Sequence, residues 1–313
     1  MPVAQLLTVE LTVSDLAGTV RFLSAGLGLE TGPVWKGCDP GWNSVLGLAP
    51  ETVMWSAEIG FERESLRLVA FDPPGAPYPA PRASNDPWFE HVALVAGGIQ
   101  AVWSRLEKAE PEAVTRGGPV LLPPNTGGVT AFKFRDPEGH PLELISFPDG
   151  AGDPRWQQGG SGIRGYDHTA IVVSDLGRSL AFYEGLLGLR PAGRSLNHGP
   201  EQDRLDGLAR CEVDVIALQP ASIPTPHVEL LHYRTPRGRV AGAPVAANDV
   251  ASVRQVHKVD GLEGLAARLE AAGAAFVSDG PVRLAAGANA VSVRDPDGHM
   301  VVLLDEGATA MSA

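Results

Sequence analysis

The sequence contains an internal repeat that constrains the fold more than any other feature. Segments of the second half return in the order of the first half, at an offset of about 160 residues. Val-Ser-Asp-Leu occurs at residues 13–16 and again at 173–176. Asp-Pro-Glu-Gly-His at 136–140 is matched by Asp-Pro-Asp-Gly-His at 295–299. We therefore expect two copies of one unit, and positions that differ between the copies indicate where function has been kept.

Composition narrows the class of partner. The chain has 313 residues, enough for two domains of ordinary size. Its formal net charge of -12 and its lack of any Lys/Arg run argue against nucleic acid or an anionic membrane surface as partner. No segment resembles a signal peptide or a membrane span. Cys38 and Cys211 lie far apart in the chain, which favours reduced thiols in a cytoplasm. The expected partner is a small-molecule substrate.

Apolar periodicity and turn residues predict four β-α-β-β-β modules, two in each half. In the first half we predict helices at residues 16–25 and 99–109, and strands at 6–13, 44–48, 53–59, 66–71, 89–95, 114–116, 130–135 and 142–147. In the second half we predict helices at 176–186 and 262–272, and strands at 166–173, 211–218, 228–233, 252–259, 291–294 and 300–304. Gly, Pro and polar residues without apolar period predict a linker at 149–162, between domains 1–148 and 163–307.

The four modules, the repeated Val-Ser-Asp-Leu helix entry and the repeated Asp-Pro-(Asp/Glu)-Gly-His turn resemble the vicinal oxygen chelate superfamily. This superfamily includes glyoxalase I, bleomycin resistance proteins and extradiol dioxygenases. The resemblance covers nearly the whole chain and implies an α+β fold: four βαβββ modules in two tandem glyoxalase-like domains, with curved mixed sheets that form a metal-binding cup. It specifies the fold better than the reaction, because this scaffold hosts many reactions.

The resemblance also implies a set of metal ligands on the first and last strands of the modules. Four positions match, two in the second module and two in the third. They are His91, Glu143, His168 and Glu229. The equivalent positions of the first and fourth modules hold no such pair of ligands. They are Thr8, Arg67, Arg254 and Val302.

This division between modules predicts one metal site. Glyoxalase I enzymes commonly build a site from the second module of one subunit and the first module of its partner, so fusion of two subunits would bring modules two and three together. We therefore predict one site with all four ligands and one cleft without a metal. In that cleft Arg67 and Arg254 either bind an anion or pair with Glu10. Because one chain holds the whole site, a monomer and a homodimer are both compatible with it.

Each ligand taken alone has an ordinary explanation. His91, on a strand face shared with Phe89, can be a hydrogen-bonded surface histidine. Glu143 can be an edge-strand charge, and Glu229 can pair with a nearby arginine. The four together, at matched positions in complementary modules, favour a metal site. Two imidazoles and two carboxylates suit one divalent transition metal, namely Ni, Zn, Co, Mn or Fe.

The resemblance implies a metal-dependent lyase or isomerase of the glyoxalase type. The ion would stabilise an enediolate while a glutamate moves a proton between adjacent carbons, with Glu143 as the favoured base and Glu229 as its counterpart. Two other functions stay open. One is an Fe(II)-dependent dioxygenase acting on a small aromatic or oxygenated substrate, and the other is a small-molecule binding or resistance protein.

Four further residues are predicted to contact the substrate from cup-facing positions. They are Phe89, Tyr166, His227 and Tyr233. Ordinary packing is the alternative for each aromatic residue, because aromatic side chains line pockets and cores alike.

Overall fold

The computed structural model describes residues 2–240 and 242–307. The first half contains the strands β1 (Gln5–Thr12), β2 (Trp35–Gly37), β3 (Val53–Gly60), β4 (Ser65–Asp72), β5 (Glu90–Gly97), β6 (Glu112–Ala113), β7 (Val120–Leu121), β8 (Thr130–Arg135) and β9 (Pro141–Ser146). Its helices are α1 (Leu16–Leu27), α2 (Pro40–Val45) and α3 (Ile99–Leu106), and 3₁₀ turns lie at Glu107–Ala109 and Pro124–Thr126.

The second half repeats this order of elements. Its strands are β10 (Gly162–Val172), β11 (Arg190–His198), β12 (Glu212–Gln219), β13 (His227–Thr235), β14 (Val253–Lys258), β15 (Ala275–Phe276), β16 (Val282–Arg283), β17 (Asn289–Arg294) and β18 (Met300–Asp305). Its helices are α4 (Leu176–Leu180), which continues as a π-helical turn at Ala181–Leu186, α5 (Pro200–Asp206) and α6 (Leu262–Ala271). The predicted linker contains a 3₁₀ turn at Pro154–Gln157 with a buried Trp156.

The strands form two nine-stranded mixed sheets, and each sheet takes strands from both halves of the chain. Sheet A has the order β15-β17-β18-β14-β1-β4-β3-β2, with β16 beside β17. Sheet B has the order β11-β12-β13-β10-β5-β9-β8-β6, with β7 beside β8. The halves meet through antiparallel pairs at the centre of each sheet, β1 with β14 and β10 with β5. Modules one and four therefore share sheet A, and modules two and three share sheet B.

Helices pack between the outer faces of the two sheets. Leu23 of α1 and Leu106 of α3 lie in one apolar core with Leu68 of sheet A and Leu94 of sheet B. The second-half helices α4 and α6 form the equivalent core with β13 and β18. Since both outer faces are covered in this way, the inner face of each sheet is left to form a cup.

Side-chain caps explain why the helices begin where they do. The Asp15 carboxylate accepts a hydrogen bond from the Gly18 amide at 2.8 Å, and Asp175 does the same for Arg178 at 3.0 Å. These are the aspartates of the repeated Val-Ser-Asp-Leu segments. Helix α1 ends at Gly28, which has a positive φ of 74° that glycine adopts without strain.

The histidine of the repeated turn has a structural role in both halves. His140 Nε2 lies 2.9 Å from the carbonyl oxygen of Thr12, at the end of β1. His299 Nε2 lies 2.9 Å from the carbonyl oxygen of Val172, at the end of β10. Each histidine therefore ties the turn before the last strand of one module to the first strand of the other module in the same half.

The predicted strand at residues 44–48 is wrong, because this segment belongs to helix α2 and the turn after it. Asp39 caps the helix by accepting a hydrogen bond from the Trp42 amide at 3.0 Å, and Pro40 occupies the first helical turn. The strand that precedes β3 is the short edge strand β2 instead. The predicted strand at 114–116 is likewise displaced, to β6. None of the helices in the described residues is long and apolar enough to cross a bilayer.

Candidate metal centre

The inner face of sheet B surrounds a cavity of about 520 Å³. Strands β5 and β8 to β13 contribute residues to its wall, and α5 covers one side through Gln202 and Leu205. Part of the wall is apolar. Its apolar side chains include Leu122, Val129, Ile145, Phe147, Val213, Val215 and Leu231. All four predicted ligands line this cavity.

Three of the four predicted ligands converge on one point. The Nε2 atom of His91 lies 3.0 Å from Oε2 of Glu143, and Nε2 of His168 lies 3.7 Å from the same oxygen. One ligand atom from each of these three residues lies within 4.8 Å of the others. The register of sheet B explains the convergence, because β10 pairs with β5 and β5 pairs with β9.

Glu229 lies beside this group on β13. Its Oε2 atom is 3.5 Å from Nε2 of His168, and its Oε1 atom is 3.6 Å from Nε2 of His227. It does not belong to the compact group formed by His91, Glu143 and His168. The fourth predicted ligand is therefore close to the site without being drawn into the same cluster.

The hydrogen-bonding state of His91 matches that of a ligand. The residue is buried, yet neither ring nitrogen has a partner with hydrogen-bond geometry in the described part of the chain, despite the 3.0 Å approach to Glu143. A buried polar atom without a partner is costly, and a metal ion between imidazole and carboxylate would satisfy both groups. Imidazole nitrogen and carboxylate oxygen are donors for divalent transition metals, so these residues fit such an ion.

The electrostatics keep the carboxyl groups ionised. Burial opposes ionisation of Glu143, but the positive charge of Lys133, followed by the interactions of the carboxylate with the imidazoles of His91 and His168, outweighs it and holds the pKa of Glu143 well below its ordinary value. Burial likewise opposes ionisation of Glu229, and the charge of His168 lowers its pKa. For His91 burial dominates and lowers the pKa, which favours the neutral imidazole that a metal requires.

Lys133 is a buried cation in the cavity wall that the sequence analysis did not identify. It lies opposite Glu143 in the β8–β9 pairing, and its Nζ donates to Asp206 Oδ1 at 2.8 Å. Burial lowers the pKa of Lys133, but the charge of Asp206 and then that of Glu143 raise it overall, so the side chain stays protonated. Asp206 also accepts a hydrogen bond from Tyr233 of β13 at 3.0 Å, which fixes α5 against the sheet, and one from Gln202 within α5 at 2.7 Å.

A β-bulge in β10 shapes the site. The pairing with β5 shifts register between Tyr166 and His168, so Asp167 is an extra residue. As a result Asp167 and His168 both line the cavity, although they are adjacent in sequence. Two successive polar residues in an otherwise alternating strand were the signal for this bulge, and the sequence analysis did not use it.

The bulge also moves Tyr166 away from its predicted position. Strict alternation predicts that Tyr166 shares a face with His168, but the structure places it in the outer core, edge-to-face with Phe61. Phe89 packs edge-to-face against His91 with ring centroids 5.6 Å apart, beneath the cavity wall rather than on it. His227 and Tyr233 do line the cavity, as expected.

The cup of sheet A is filled by side chains. Helix α2 packs there, and Val45 and Leu46 join Val302 in an apolar cluster. Arg67 and Arg254 pair with Glu10, with Nη1 of Arg67 2.8 Å from Oε1 and Nε of Arg254 3.0 Å from Oε2. Of the two alternatives left open for these arginines, pairing with Glu10 is the one the structure contains.

Comparison with known proteins agrees with this architecture. Residues 165–303 match the family model described as "Glyoxalase/Bleomycin resistance protein/Dioxygenase superfamily". No curated protein matches the sequence significantly.

Among solved structures, a mutant of glyoxalase I from Zea mays is similar with a TM-score of 0.63 at 17% identity, over 96% of this chain and 94% of that chain. Glyoxalase I from Zea mays itself has a TM-score of 0.62 at 16% identity, over 96% and 92% of the two chains. A putative dioxygenase from Bacillus subtilis subsp. subtilis str. 168 has a TM-score of 0.59 at 15% identity, over 97% and 86%. At these identities the likeness establishes the fold alone.

Proposed function

We propose that this chain, whose residues 165–303 match the Glyoxalase/Bleomycin resistance protein/Dioxygenase superfamily, is a divalent-metal-dependent enzyme of the glyoxalase I type, a lyase or isomerase. Its single active site lies in the cup of sheet B, between modules two and three. Its substrate is a small α-hydroxy carbonyl compound whose adjacent carbons exchange a proton.

One observation carries this proposal. His91, Glu143 and His168 converge within 4.8 Å in a cavity, with Glu229 beside them, while the equivalent positions of sheet A lie in a filled cup. A structural role for these buried residues would leave the unpartnered nitrogens of His91 unexplained. A ligand role accounts for Nε2 of His91, the nitrogen that faces Glu143, and for the presence of all four residues in one sheet.

The residues divide into holding and reacting groups. His91 and His168 would hold the ion, which would act as a Lewis acid toward a carbonyl oxygen of the substrate. Glu143 is the proposed base, since its carboxylate is ionised and lies next to both imidazoles. It takes a proton from the carbon that bears the hydroxyl group and returns it to the neighbouring carbon, while the hydroxyl proton passes to the former carbonyl oxygen and Glu229 serves as the counterpart of Glu143.

The remaining wall binds and orients the substrate. The apolar side chains from β7 to β9 and from β12 contact its non-reacting part and exclude water from the carboxylates. His227 lies on the wall beside Glu229, and Tyr233 lies on the wall with its hydroxyl bonded to Asp206, the partner of Lys133, so both residues offer polar contacts to the substrate. Lys133 keeps Glu143 ionised without a direct bond to it.

A second function is favoured by the composition of the compact group. Two histidines and one carboxylate are the ligand set of non-haem Fe(II) oxygenases. His91, His168 and Glu143 supply this set when Glu229 is left outside. A dioxygenase acting on a small aromatic or oxygenated substrate is therefore the alternative.

Metal content and exchange chemistry distinguish these functions. Wild type and a His91→Ala/His168→Ala variant are reconstituted with Ni, Co, Zn, Mn or Fe(II), and plasma mass spectrometry and circular dichroism report metal content and folding. We expect about one equivalent of metal in wild type and its loss in the folded variant. Deuterium uptake from D₂O into the adduct of a 2-oxoaldehyde with a small thiol supports the isomerase.

Two other results would change the assignment. Oxygen consumption by the Fe(II) protein with a catechol or 2-oxo acid panel, without deuterium uptake, selects the dioxygenase. Failure to bind any of the five metals refutes both enzymes and leaves a metal-independent binding or resistance protein.

A further inference from the structure

The cavity contains one carboxylate that the proposed chemistry does not use. Asp167 occupies the bulge in β10, is buried, and faces two histidines at once. Its Oδ2 atom lies 3.2 Å from Nδ1 of His168 and 3.8 Å from Nδ1 of His227. Its other oxygen, Oδ1, accepts a hydrogen bond from the indole Nε1 of Trp156 at 2.8 Å.

This arrangement determines which nitrogen of His168 carries a proton. An ionised carboxylate only accepts hydrogen bonds, so Nδ1 must be the donor. The lone pair of the neutral ring is then on Nε2, the atom that lies 3.7 Å from Glu143 and 3.5 Å from Glu229. Asp167 is the nearer acceptor at 3.2 Å, so it decides the tautomer.

The internal repeat supplies a comparison within the same chain. In sheet A the pairing of β1 with β14 shifts register between Leu6 and Thr8, so the same bulge is present. There the bulged residue is Leu7 and the next residue is Thr8 in place of His168. The bulge is thus a feature of the scaffold, whereas the carboxylate on it occurs only in the sheet that has the ligands.

We propose that Asp167 is a positioning residue for the metal centre, and that Trp156 of the linker locks it in place. Asp167 holds His168 in the tautomer that presents Nε2 to the ion, and Trp156 fixes the carboxylate by occupying Oδ1. This inference rests on the proposed metal site and extends it to a segment between the two domains. A carboxylate behind a ligand histidine commonly contributes a factor of about 10 to 100 in metal affinity.

The indole donor makes the role of Asp167 testable by substitution with asparagine. In an Asp167→Asn variant, Trp156 still needs an acceptor and holds the amide oxygen, so the amide NH₂ faces Nδ1 of His168. That ring nitrogen must then accept, which moves the proton to Nε2 and blocks it as a ligand. In an Asp167→Asn/Trp156→Phe variant the amide is free to rotate, so its oxygen again accepts from Nδ1.

Metal affinity is measured by competition with a chelator for wild type, both variants and Trp156→Phe alone. We expect Asp167→Asn to weaken affinity by about 10- to 100-fold and the double variant to recover about tenfold of that loss. Asp153→Asn is the matched control, because Asp153 caps the same linker turn through the Arg155 amide without touching Asp167. It should leave affinity unchanged.

The ¹⁵N spectrum of the imidazole rings gives a readout that does not require metal. It is recorded on metal-free protein at alkaline pH, where the ring is neutral. We expect the proton of His168 on Nδ1 in wild type, on Nε2 in Asp167→Asn, and on Nδ1 again in the double variant.

The outcomes separate this inference from the proposed function. Unchanged affinity in folded Asp167→Asn, or a double variant as weak as the single one, overturns the positioning role while the metal site stands. If wild type binds no metal, the proposed function fails, and the positions of the ring protons still decide whether Asp167 sets the tautomer.

Discussion

Replacing Glu10 with glutamine should destabilise the protein strongly, although Glu10 lies far from the proposed site in sequence and in a different sheet. Its carboxylate is fully buried between two guanidinium groups, with Arg254 at 3.0 Å and Arg67 at 2.8 Å. Arg67 keeps a second carboxylate, Glu58 at 3.0 Å. Among the described residues Arg254 has no other acid, since its remaining partners are neutral oxygens.

The magnitude follows from the charge that is left behind. Glu10→Gln preserves shape and one acceptor but leaves Arg254, which is completely buried, without a counter-charge. Breaking a buried ion pair from one side costs about 3–5 kcal/mol. We expect the lower end of this range, about 3 kcal/mol in the free energy of unfolding, because Thr12 and two further oxygens still accept from the guanidinium.

Urea unfolding followed by far-ultraviolet circular dichroism measures this change. The control is Glu58→Gln, which breaks a half-exposed pair with Arg67 and should cost at most about 1 kcal/mol. A Glu10→Gln variant within about 1 kcal/mol of wild type would refute the claim that Arg254 depends on Glu10 for its charge. Metal content should not change in either variant, because the ligands lie in sheet B.

Three further outcomes test the site and the core. Glu143→Gln should lower kcat by about 10²- to 10⁴-fold while circular dichroism stays unchanged, and a smaller loss would exclude Glu143 as the base. Lys133→Gln should raise the pKa of Glu143, because Lys133 is the strongest of the charges that lower it. The acidic limb of the pH profile of kcat/KM should then move to higher pH, and an unchanged limb would contradict this. Burial lowers the pKa of His257 to about 3, so acidification below its unfolded value of about 6.5 protonates the unfolded chain first. The free energy of unfolding, measured from pH 7 down to pH 3, should therefore decrease more steeply in wild type than in His257→Leu. The difference in slope should reach up to about 1.4 kcal/mol per pH unit, and equal slopes would refute this.

The internal repeat made most of the fold predictable. Alternation, the aspartate caps and the two turns located nearly all long strands and helices. The fold class is confirmed, and the resemblance to the superfamily is confirmed over residues 165–303. The strand predicted at residues 44–48 was wrong, because the apolar residues Val45, Leu46 and Leu48 are also typical of a strand. Their apolar character reflects burial inside the cup of sheet A, which periodicity over so short a segment cannot distinguish from a strand.

The ligand positions could be predicted from the resemblance and the internal repeat. Positions that depend on the register of strand pairing could not. The resemblance to the superfamily implied four ligand positions, and comparison of the two halves assigned them to one site. All four residues line the cavity, and their metal-binding role stays a prediction. The bulge at Asp167 shifts strand alternation by one residue, so Tyr166 turned outward against expectation. Lys133 could not be recognised from its strand, because its partner Asp206 is brought to it only by α5, where Tyr233 of β13 also donates to Asp206.

Each sheet takes strands from both halves of the chain, so neither half of the chain contains a complete sheet. A polypeptide cut at the exposed Gly150 would leave two fragments, each owning two of the four predicted ligands and half of both sheets. Neither fragment could complete a cup, so recovery of the metal centre would report that the fragments had found each other. Metal binding would therefore report association of the two fragments, because neither fragment holds the whole site.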